Sequence, residues 1–407
     1  MRKPDLNTRI AVTGIGIICS IGRNQHEVWD AIFASRDGID KLTCFPGEAF
    51  PTDIAAQVNG DIVAMLPVSR REAKRLSRSD VLAVIAAHEA LEQANEQGTK
   101  LSMSRAIVST GTSTGGLLEG EGYYFDRLLQ GRRRAPASSV LQQPTSGPSD
   151  AVARVFRIGG GVVSNATACA SAGAAIGMAA DFLRARHTDV AIAGGSDALC
   201  RLTYSGFNVL QAVDPAPCSP FGADRKGITL GEGAAYLILE RWDDAVARGA
   251  KILAELRGYG ASCDAHHPTA PVEDGRGAEA AMRGALAEGV LSTGAVDYIN
   301  AHGTGTLLND SAETRAIVAT CGLDVPVSSS KSYFGHTLGA AGGIEAVISI
   351  LALQHQVAPP TLRLREAAAD CTLDYIPEVP RAMELTNVLS NTFGFGGSNV
   401  SLLFSRV

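Results

Sequence analysis

The sequence predicts an α/β fold in which helices cover both faces of buried β-sheets. Three observations support this prediction. Short apolar runs rich in Val, Ile and Ala recur along the chain, and helical stretches separate them. An uncharged turn that leads into a helix of small residues occurs twice, once around Cys169 and once around His336. The length of 407 residues allows a large shared core.

Strand and helix signals alternate through the first part of the chain. The run 10–16 is apolar and predicts the opening strand, and a helix at 81–93 follows a cap at Ser79 or Asp80. We expect a small-residue helix directly after Cys169. The remaining elements of this series are strands at 106–110, 162–166, 190–195 and 235–240 and a connecting helix at 242–248.

A second series of elements begins near Lys251. Its apolar runs predict strands, and a second small-residue helix is expected after Gly339. The predicted strands of this series lie at 252–260, 295–302, 325–330 and 400–404. The two series indicate buried sheets that are covered by helices.

Composition argues against several classes of protein. The net charge of −6 gives no basic excess for binding nucleic acid, and the eight cysteines lack Cys-x-x-Cys spacing, so we expect reduced thiols. Residues 158–180 carry no charge but are rich in polar small residues, so we predict a buried strand, turn and helix rather than a membrane span. No signal peptide is recognised, and we expect a cytoplasmic protein.

Cys169 lies in the segment 164–173 (SNATACASAG), where an apolar strand breaks into a small-residue helix. Free cysteines usually pack as small buried side chains. A thiol at a helix N-terminus differs, because backbone N–H groups and the helix dipole favour the thiolate. Cys169 is therefore a candidate nucleophile.

Two histidines lie in glycine-rich segments further along the chain. His302 lies in 300–306 (NAHGTGT), and His336 lies in 331–345 (KSYFGHTLGAAGGIE). A lone histidine is more often a surface or core residue, which is how we interpret the remaining ones. The adjacent His266 and His267 have no partner pattern typical of a metal site, so no metal is expected.

These segments together resemble the β-ketoacyl-acyl carrier protein synthases, elongating type II condensing enzymes of the thiolase-like superfamily. The resemblance runs from 10–16 (IAVTGIG) to 391–399 (NTFGFGGSN) and includes 231–234 (GEGA), in the family's order. It implies a five-layered α-β-α-β-α fold with two similar halves, 1–251 and 252–407. It also implies no cofactor of the enzyme's own, because the substrates are carried on the phosphopantetheine arm of acyl carrier protein.

The resemblance implies a decarboxylative Claisen condensation that extends an acyl group in fatty-acid or type II polyketide or polyene synthesis. Cys169 matches the nucleophile that accepts the acyl group. His302 and His336 match the two histidines that stabilise the thioester oxygen during condensation. Lys331 and Glu345 match supporting charged positions, although a purely structural ion pair explains them equally well.

Further positions match the family's substrate contacts. We expect 393–397 (FGFGG) to form a loop whose glycines allow backbone N–H groups to approach Cys169. By resemblance, the backbone N–H groups of Cys169 and Phe395 match an oxyanion hole, and the Phe395 side chain matches a gate. For Phe393, a role beside the gate and a purely structural core role remain equal alternatives. Thr304 and Thr306 match contacts to the pantetheine arm. We further expect the segment 207–210 to shape the acyl pocket.

Two arginine-rich clusters are candidates for docking the acidic carrier protein. Arg71, Lys74 and Arg75 match the family's docking patch, and Arg132 and Arg133 are a second candidate edge of it. Such clusters are more often a solvated face. Complementary charge would speed the encounter and make it sensitive to salt.

Several positions depart from the family pattern. The motif that usually reads Arg-Asp-Gly-Phe is here Arg225-Lys226-Gly227-Ile228, and Ser398 stands where Thr is common. The loop 211–219 is short and lacks the arginine often used there for docking. These changes leave the fatty-acid and specialised pathways as alternatives, with acyl length, saturation and the extender unit open.

Two other functions remain as alternatives to the elongating enzyme. One is a non-elongating acyltransferase or hydrolase, which the presence of two histidines disfavours. The other is a non-catalytic, chain-length-factor-like partner subunit, which the presence of Cys169 disfavours. The family implies a dimer, so we expect a homodimer, with a heterodimer of related subunits as the alternative.

Overall fold

A computed structural model describes residues 8–45, 50–131 and 138–407. Ten of its strands form one mixed sheet. These are β1 (Ile10–Cys19), β2 (Ile107–Gly111), β3 (Gly161–Asn165), β4 (Val190–Asp197), β5 (Gly233–Arg241), β6 (Ala254–Cys263), β7 (Tyr298–Asn300), β8 (Val327–Ser328), β9 (Asn387–Gly394) and β10 (Ser398–Ser405). Their order across the sheet is β8-β7-β9-β10-β6-β1-β5-β4-β2-β3.

The sheet consists of two halves with the same internal order. Strands β3-β2-β4-β5-β1 form one half, and β8-β7-β9-β10-β6 form the other. In each half the first three strands run parallel and the last two pair antiparallel with their neighbours. The halves join where Ile10–Val12 of β1 pairs with Ala254–Leu256 of β6. This topology confirms the predicted α/β fold with two similar halves, and the boundary at residue 251 stays a prediction.

Thirteen helices are found among the described residues. They are α1 (Gln25–Phe33), α2 (Arg70–Ala73), α3 (Arg78–Ala94), α4 (Leu117–Tyr124), α5 (Ser138–Leu141), α6 (Gly147–Phe156), α7 (Ser171–Arg184), α8 (Arg201–Val209), α9 (Trp242–Ala247), α10 (Arg276–Glu288), α11 (Leu307–Cys321), α12 (Lys331–Phe334) and α13 (Ala341–His355). Two small two-stranded sheets pair Asp40–Lys41 with Ile54–Ala55 and Val357–Ala358 with Arg381–Ala382.

The elements stack in five layers. Helices α3 and α6 cover the outer face of the first half-sheet, and α10, with α11 packed on it, covers the outer face of the second. Helices α7 and α13 lie between the halves and contact strands of both. The middle layer is thus enclosed on both sides, which is why α13 is buried from Ala341 to Leu353.

Small residues allow the two central helices to approach closely. A Cβ atom on Gly342 of α13 would lie 2.7 Å from the backbone nitrogen of Gly173 of α7. A Cβ on Gly177 would meet the ring of Tyr259 in β6 at 2.3 Å. Contacts this short leave no room for a side chain, so glycine is required where α7 faces α13 and β6.

The segment whose hydropathy resembles that of a membrane span is the central helix, not the uncharged stretch 158–180 considered in the sequence analysis. Leu338–His355 has the length and composition of a membrane span, but 89% of that window is buried inside the described structure. The uncharged stretch 158–180 forms β3, a turn and most of α7, as predicted. Strand β3 is partly exposed because it lies at the edge of the sheet.

Two local predictions were wrong, and two outer helices were missed. The cap of α3 is Ser77, not Ser79 or Asp80, and Ser77 and Asp80 form a reciprocal capping box. Of the predicted loop 393–397, Phe393 and Gly394 end strand β9, and only Phe395–Gly397 lie in a turn after it. Helices α10 and α11 were not predicted; α10 forms the outer cover of the second half.

Candidate active site

The candidate residues converge on one cavity of about 320 Å³. Those that line it are Cys169, His302, Thr304, Thr306, His336, Phe393 and Phe395. Cys169 and both histidines are buried, at 6%, 3% and 3% exposure. Residues from both halves of the chain, separated by up to 226 positions, therefore meet at one site, and Lys331 and Glu345 lie behind the histidines.

Cys169 lies in a tight turn between β3 and α7. The preceding residue, Ala168, has a φ of 49°, a left-handed conformation that a side chain rarely adopts. Strain of this kind typically costs about 1–3 kcal/mol and persists where the surroundings fix it. Here the carbonyl of Ala168 accepts hydrogen bonds from the hydroxyls of Ser171 (2.6 Å) and Ser113 (3.2 Å).

The same turn occurs before α13 in the second half. Leu338 has a φ of 52°, and a short 3-10 turn over Leu338–Ala340 leads into the helix. Gly339 occupies the place that Cys169 holds in the first turn. The duplicated turn thus carries the thiol in one half and, three residues before Gly339, His336 in the other.

Burial controls the protonation of the Cys169 thiol. It raises the pKa of Cys169 to about 12, and the ammonium of Lys331 is the largest influence that lowers it. The backbone N–H of Phe395 donates to the thiol and lowers the pKa further. Removal from water therefore outweighs the stabilisation of the thiolate that is expected from the helix N-terminus.

His302 is held by a charged pair behind it. The Nζ of Lys331 lies 3.1 Å from His302 Nδ1 and also bonds the carboxylate of Glu345. An ammonium group can only donate, so Nδ1 of His302 accepts and the ring proton lies on Nε2. Burial, followed by the charge of Lys331, lowers the pKa of His302 well below the ordinary imidazole value.

His336 takes the same tautomer through a backbone contact. The N–H of Leu338 donates to His336 Nδ1 at 3.2 Å, which leaves the proton on Nε2. Burial, followed by the charge of Lys331, also lowers the pKa of His336 well below its ordinary value. The two rings lie 5.2 Å apart, nearly perpendicular to each other. The site thus presents two neutral imidazoles, each with an Nε2–H donor.

Two buried carboxylates that the sequence analysis missed fix the loops of the site. Glu313 accepts the backbone N–H groups of His302 and Gly303, both at 2.8 Å. Burial raises the pKa of Glu313 to about 7. The side chain of Asn391 in β9 also donates to Glu313, at 3.3 Å. These bonds hold the His302 loop against α11 and β9.

Asp197, at the end of β4, connects the two turns. Its carboxylate accepts the backbone N–H groups of Ser113 (2.8 Å), Thr114 (2.9 Å) and Gly339 (2.7 Å). Because Ser113 also donates to Ala168, one carboxylate links the turn of the nucleophile to the turn of His336. No local sequence pattern indicates this role.

The two aromatic candidates line the same cavity as Cys169. Phe393 packs 5.7 Å from the ring of His302 and is buried. Phe395 is 37% exposed, and its ring lies 5.5 Å from that of Phe207, which also lines the cavity. The following Gly396 has a φ of 84°, so the loop requires glycine for its conformation.

Thr304 and Thr306 face the same cavity and bond each other. Their hydroxyl oxygens lie 2.9 Å apart. Thr306 also caps α11, where its hydroxyl accepts the N–H of Asn309 at 3.3 Å. Thr306 therefore has a structural role in addition to its place in the cavity.

The candidate docking patch is exposed. Arg71, Lys74 and Arg75 lie on or just after α2 and all face solvent. Nearby Arg78 differs, because its guanidinium pairs with the buried Glu232 at 2.8 Å. Arg132 and Arg133 lie outside the described residues. No group of His, Cys, Asp and Glu residues in the described ranges is arranged to hold a metal ion.

Comparisons with known proteins agree with this geometry. Models of the N-terminal and C-terminal domains of β-ketoacyl synthases match residues 7–245 and 253–365. Nodulation protein E of Rhizobium meliloti (strain 1021) is 37% identical over 99% of this chain and 100% of its own. The 3-oxoacyl-[acyl-carrier-protein] synthase 2 of Synechocystis is 38% identical over 98% of each chain. The solved ishigamide ketosynthase/chain length factor has a TM-score of 0.93 and 34% identity, over 98% of this chain and 99% of that one.

The class of protein follows from the fold, the cavity and these matches. A duplicated five-layered fold that brings a cysteine and two histidines together is typical of the condensing enzymes. The chain belongs to the β-ketoacyl synthase family, and it is an acyltransferase of the condensing type.

Proposed function

We propose that the chain joins an acyl group held on Cys169 to the two-carbon unit of malonyl-acyl carrier protein, with loss of carbon dioxide. The product is a β-ketoacyl-acyl carrier protein. The proposal rests on one observation: a buried thiol and two neutral imidazoles, each with an Nε2–H donor, line one cavity. A thiol suffices for simple acyl transfer, whereas a pair of Nε2–H donors can stabilise the charge that develops on a second thioester.

In the first half-reaction the sulfur of Cys169 attacks the acyl thioester of the carrier. The carrier's sulfur leaves and takes the proton that Cys169 gives up. Negative charge on the acyl oxygen is met by the N–H groups of Cys169 and Phe395. Gly394, which precedes Phe395, lies against the turn of Cys169, since a Cβ on it would be 3.1 Å from the nitrogen of Cys169. The ammonium of Lys331 favours the transient thiolate.

In the second half-reaction malonyl-carrier protein loses carbon dioxide and leaves an enolate. The Nε2–H groups of His302 and His336 donate to its oxygen, where the charge is larger than in the thioester. The enolate carbon then attacks the acyl carbonyl on Cys169. The carbon–sulfur bond breaks and Cys169 leaves as a thiolate, which takes up one proton from solvent to restore the thiol. Lys331 and Glu345 act as positioning residues, because Lys331 contacts His302 and Glu345 holds Lys331.

We infer that the acyl chain occupies the part of the cavity lined by Phe207 and Leu210, close to Phe395. The similar proteins include both a 3-oxoacyl-[acyl-carrier-protein] synthase 2 and a nodulation protein, so the preferred acyl group of this chain would decide between a general and a specialised pathway. We place the reaction in the cytoplasm, with substrates carried on phosphopantetheine and no further cofactor.

We infer that two subunits pair through the exposed edge of β3. Partly buried and exposed side chains alternate along this edge strand, and the exposed Val162 has 43% of its surface accessible. Unpaired edges of this kind are commonly covered by another chain. A homodimer is the simplest assembly. A heterodimer is the alternative, since a ketosynthase/chain length factor is among the similar structures.

Product analysis tests the proposed function. Purified protein is mixed with a panel of acyl-carrier proteins and malonyl-carrier protein, and carbon dioxide and released products are quantified by mass spectrometry. We expect one carbon dioxide for each β-ketoacyl product that is two carbons longer. Transfer or hydrolysis of the acyl group without chain growth would favour the non-elongating acyltransferase instead.

Reversing the charge of Arg71 and Arg75 to glutamate will weaken the use of carrier-bound substrates. We expect kcat/KM for acyl-carrier protein to fall about tenfold or more, with a weaker dependence on salt, because the patch attracts an acidic partner. Turnover of a small acyl-pantetheine thioester should stay unchanged. Arg276→Glu, an exposed arginine on α10 in the other half, is the matched control. An equal loss with both substrates would contradict the docking role.

The histidines will remain neutral across the physiological pH range. Exchange of the imidazole C2 hydrogen, followed by mass spectrometry of peptides, gives a titration midpoint for each histidine. Because the pKa of both His302 and His336 is lowered, neither ring should take up a proton as pH falls from 8 to 5.5. The same peptides from unfolded protein should titrate at about 6.5. A midpoint near that value in the folded enzyme would contradict the neutral-donor assignment.

A further inference from the structure

Lys226 is a charged residue of the cavity that the proposed reaction does not use. It lines the cavity and is exposed, whereas Cys169 is buried, so the lysine marks the open end and the thiol the closed end. The two histidines are neutral, and Lys226 is therefore the sole cationic side chain among the described residues that line the cavity. Lys226 also stands where the family motif usually has aspartate.

The backbone around Lys226 is fixed. Its N–H donates to the carboxylate of Asp214 at 3.2 Å, and the N–H of Ile228 donates to Ala212 at 2.8 Å. The neighbouring Arg225 is buried and bonded to Asp370 at 3.2 Å. The two adjacent cations thus differ: Arg225 is part of the core, and Lys226 is presented at the cavity from a rigid turn.

This turn lies against the loop of the two threonines. A Cβ on Gly305 would meet the carbonyl oxygen of Gly227 at 2.7 Å. Lys226 is therefore placed beside Thr304 and Thr306, the residues assigned to the pantetheine arm. Asp264 is the other charged side chain among the described residues that line the cavity. Its carboxylate already accepts hydrogen bonds from the Asn399 side chain (2.7 Å) and from the N–H of Val272 (3.1 Å). Lys226 has no ion-pair partner within the described part of the chain.

We propose that the ammonium of Lys226 binds the phosphodiester of the phosphopantetheine arm at the mouth of the cavity. The inference rests on the proposed function. An arm that reaches Cys169 with its sulfur keeps its phosphodiester, its single anionic group, at the open end. A charge-assisted contact there contributes to binding of every carrier-borne substrate, whatever acyl group it holds.

The carboxylate of malonyl is the other anion that enters the site, and its position there argues against binding by Lys226. It must lie beside the histidines and Cys169, at the closed end. A cation next to it would stabilise the malonyl ground state and slow the loss of carbon dioxide. The position of Lys226 at the mouth avoids this effect.

The test compares substrates that differ only by the phosphate. Wild type and Lys226→Met are assayed with malonyl-phosphopantetheine and malonyl-pantetheine, on enzyme already carrying the acyl group. We expect Lys226→Met to raise KM for the phosphorylated substrate about tenfold and to change KM for malonyl-pantetheine less than twofold, with kcat similar. Lys226→Arg should restore most of the loss. Lys100→Met, at an exposed lysine away from the cavity, is the matched control.

Each outcome is decisive. Loading of Cys169 from acyl-pantetheine is measured in parallel. If Lys226→Met weakens the use of malonyl-pantetheine but not this loading, Lys226 binds the malonyl carboxylate and the proposal is overturned. Equal losses with all substrates, or no loss with any, would also overturn it. Failure of wild type to extend any acyl group would instead refute the proposed function, so the two failures are distinguishable.

Discussion

Replacing Cys169 with alanine will abolish acyl loading while leaving the loss of carbon dioxide from malonyl-carrier protein. Loading requires the sulfur as the group that forms the thioester, so the rate should fall more than about 1,000-fold. In the proposed mechanism decarboxylation depends on the donors of His302 and His336, whose Nδ1 contacts the substitution does not touch. Intact-protein mass spectrometry measures the first activity, and release of labelled carbon dioxide measures the second.

The control for this variant is Cys321→Ala. Cys321 is a partly buried cysteine at the end of α11, away from the cavity, and its replacement should leave loading intact. An acyl adduct on another cysteine of the Cys169→Ala protein would contradict the assignment of the nucleophile. Loss of both activities in a folded variant would contradict the division of labour between the thiol and the histidines.

Replacing either histidine with alanine will separate the half-reactions in the opposite way. We expect His302→Ala and His336→Ala each to lower condensation by about 100- to 1,000-fold, the usual effect of removing one oxyanion donor. Loading of Cys169 should change far less, because its oxyanion is met by backbone N–H groups. The double variant should lose less condensation activity than the product of the two single-variant factors, since both imidazoles donate to the same oxygen.

Single-turnover assays separate these steps. Acyl loading and discharge by malonyl-carrier protein are followed on the same sample, with His187→Ala, an exposed histidine, as the control. If a histidine variant loads slowly but discharges at the normal rate, that histidine acts as the base for Cys169, and the donor assignment is wrong. The Nδ1 contacts of both rings argue for the donor role.

The sequence predicted the parts of the fold that depend on local signals. Apolar runs predicted most strands of the main sheet. The small-residue segment of Cys169 and the glycine-rich segments of His302 and His336 identified three candidate residues that line one cavity. Strand β9 was missed because its centre is polar. Its Asn391 and Thr392 are buried only because they bond side chains from elsewhere, such as Glu313 and Glu345. A strand stabilised in this way carries no apolar alternation for a sequence pattern to detect.

The carboxylates that organise the site were also beyond the reach of local patterns. Asp197 bonds Ser113 and Gly339, which lie 84 and 142 positions away along the chain. Its role exists only once both halves have folded together. The cap of α3 is different, because Ser77 and Asp80 have the spacing of a capping box and were available to sequence analysis.

The protonation of Cys169 illustrates the limit of reasoning from one element. A helix N-terminus favours a thiolate, and the sequence placed the residue correctly before α7. Burial by residues of both halves then raises its pKa to about 12. The size of that effect depends on how completely water is excluded, which no local pattern reports.

The most direct test of the account is a single-turnover measurement of the mass of the enzyme itself. Wild-type protein is loaded from acyl-carrier protein, freed of excess substrate and mixed with malonyl-carrier protein. We predict an acyl adduct on Cys169 that disappears within one turnover as a β-ketoacyl product two carbons longer appears on the carrier. An adduct that malonyl-carrier protein leaves in place, or that is lost without chain growth, would contradict the assignment of this site to carbon–carbon bond formation.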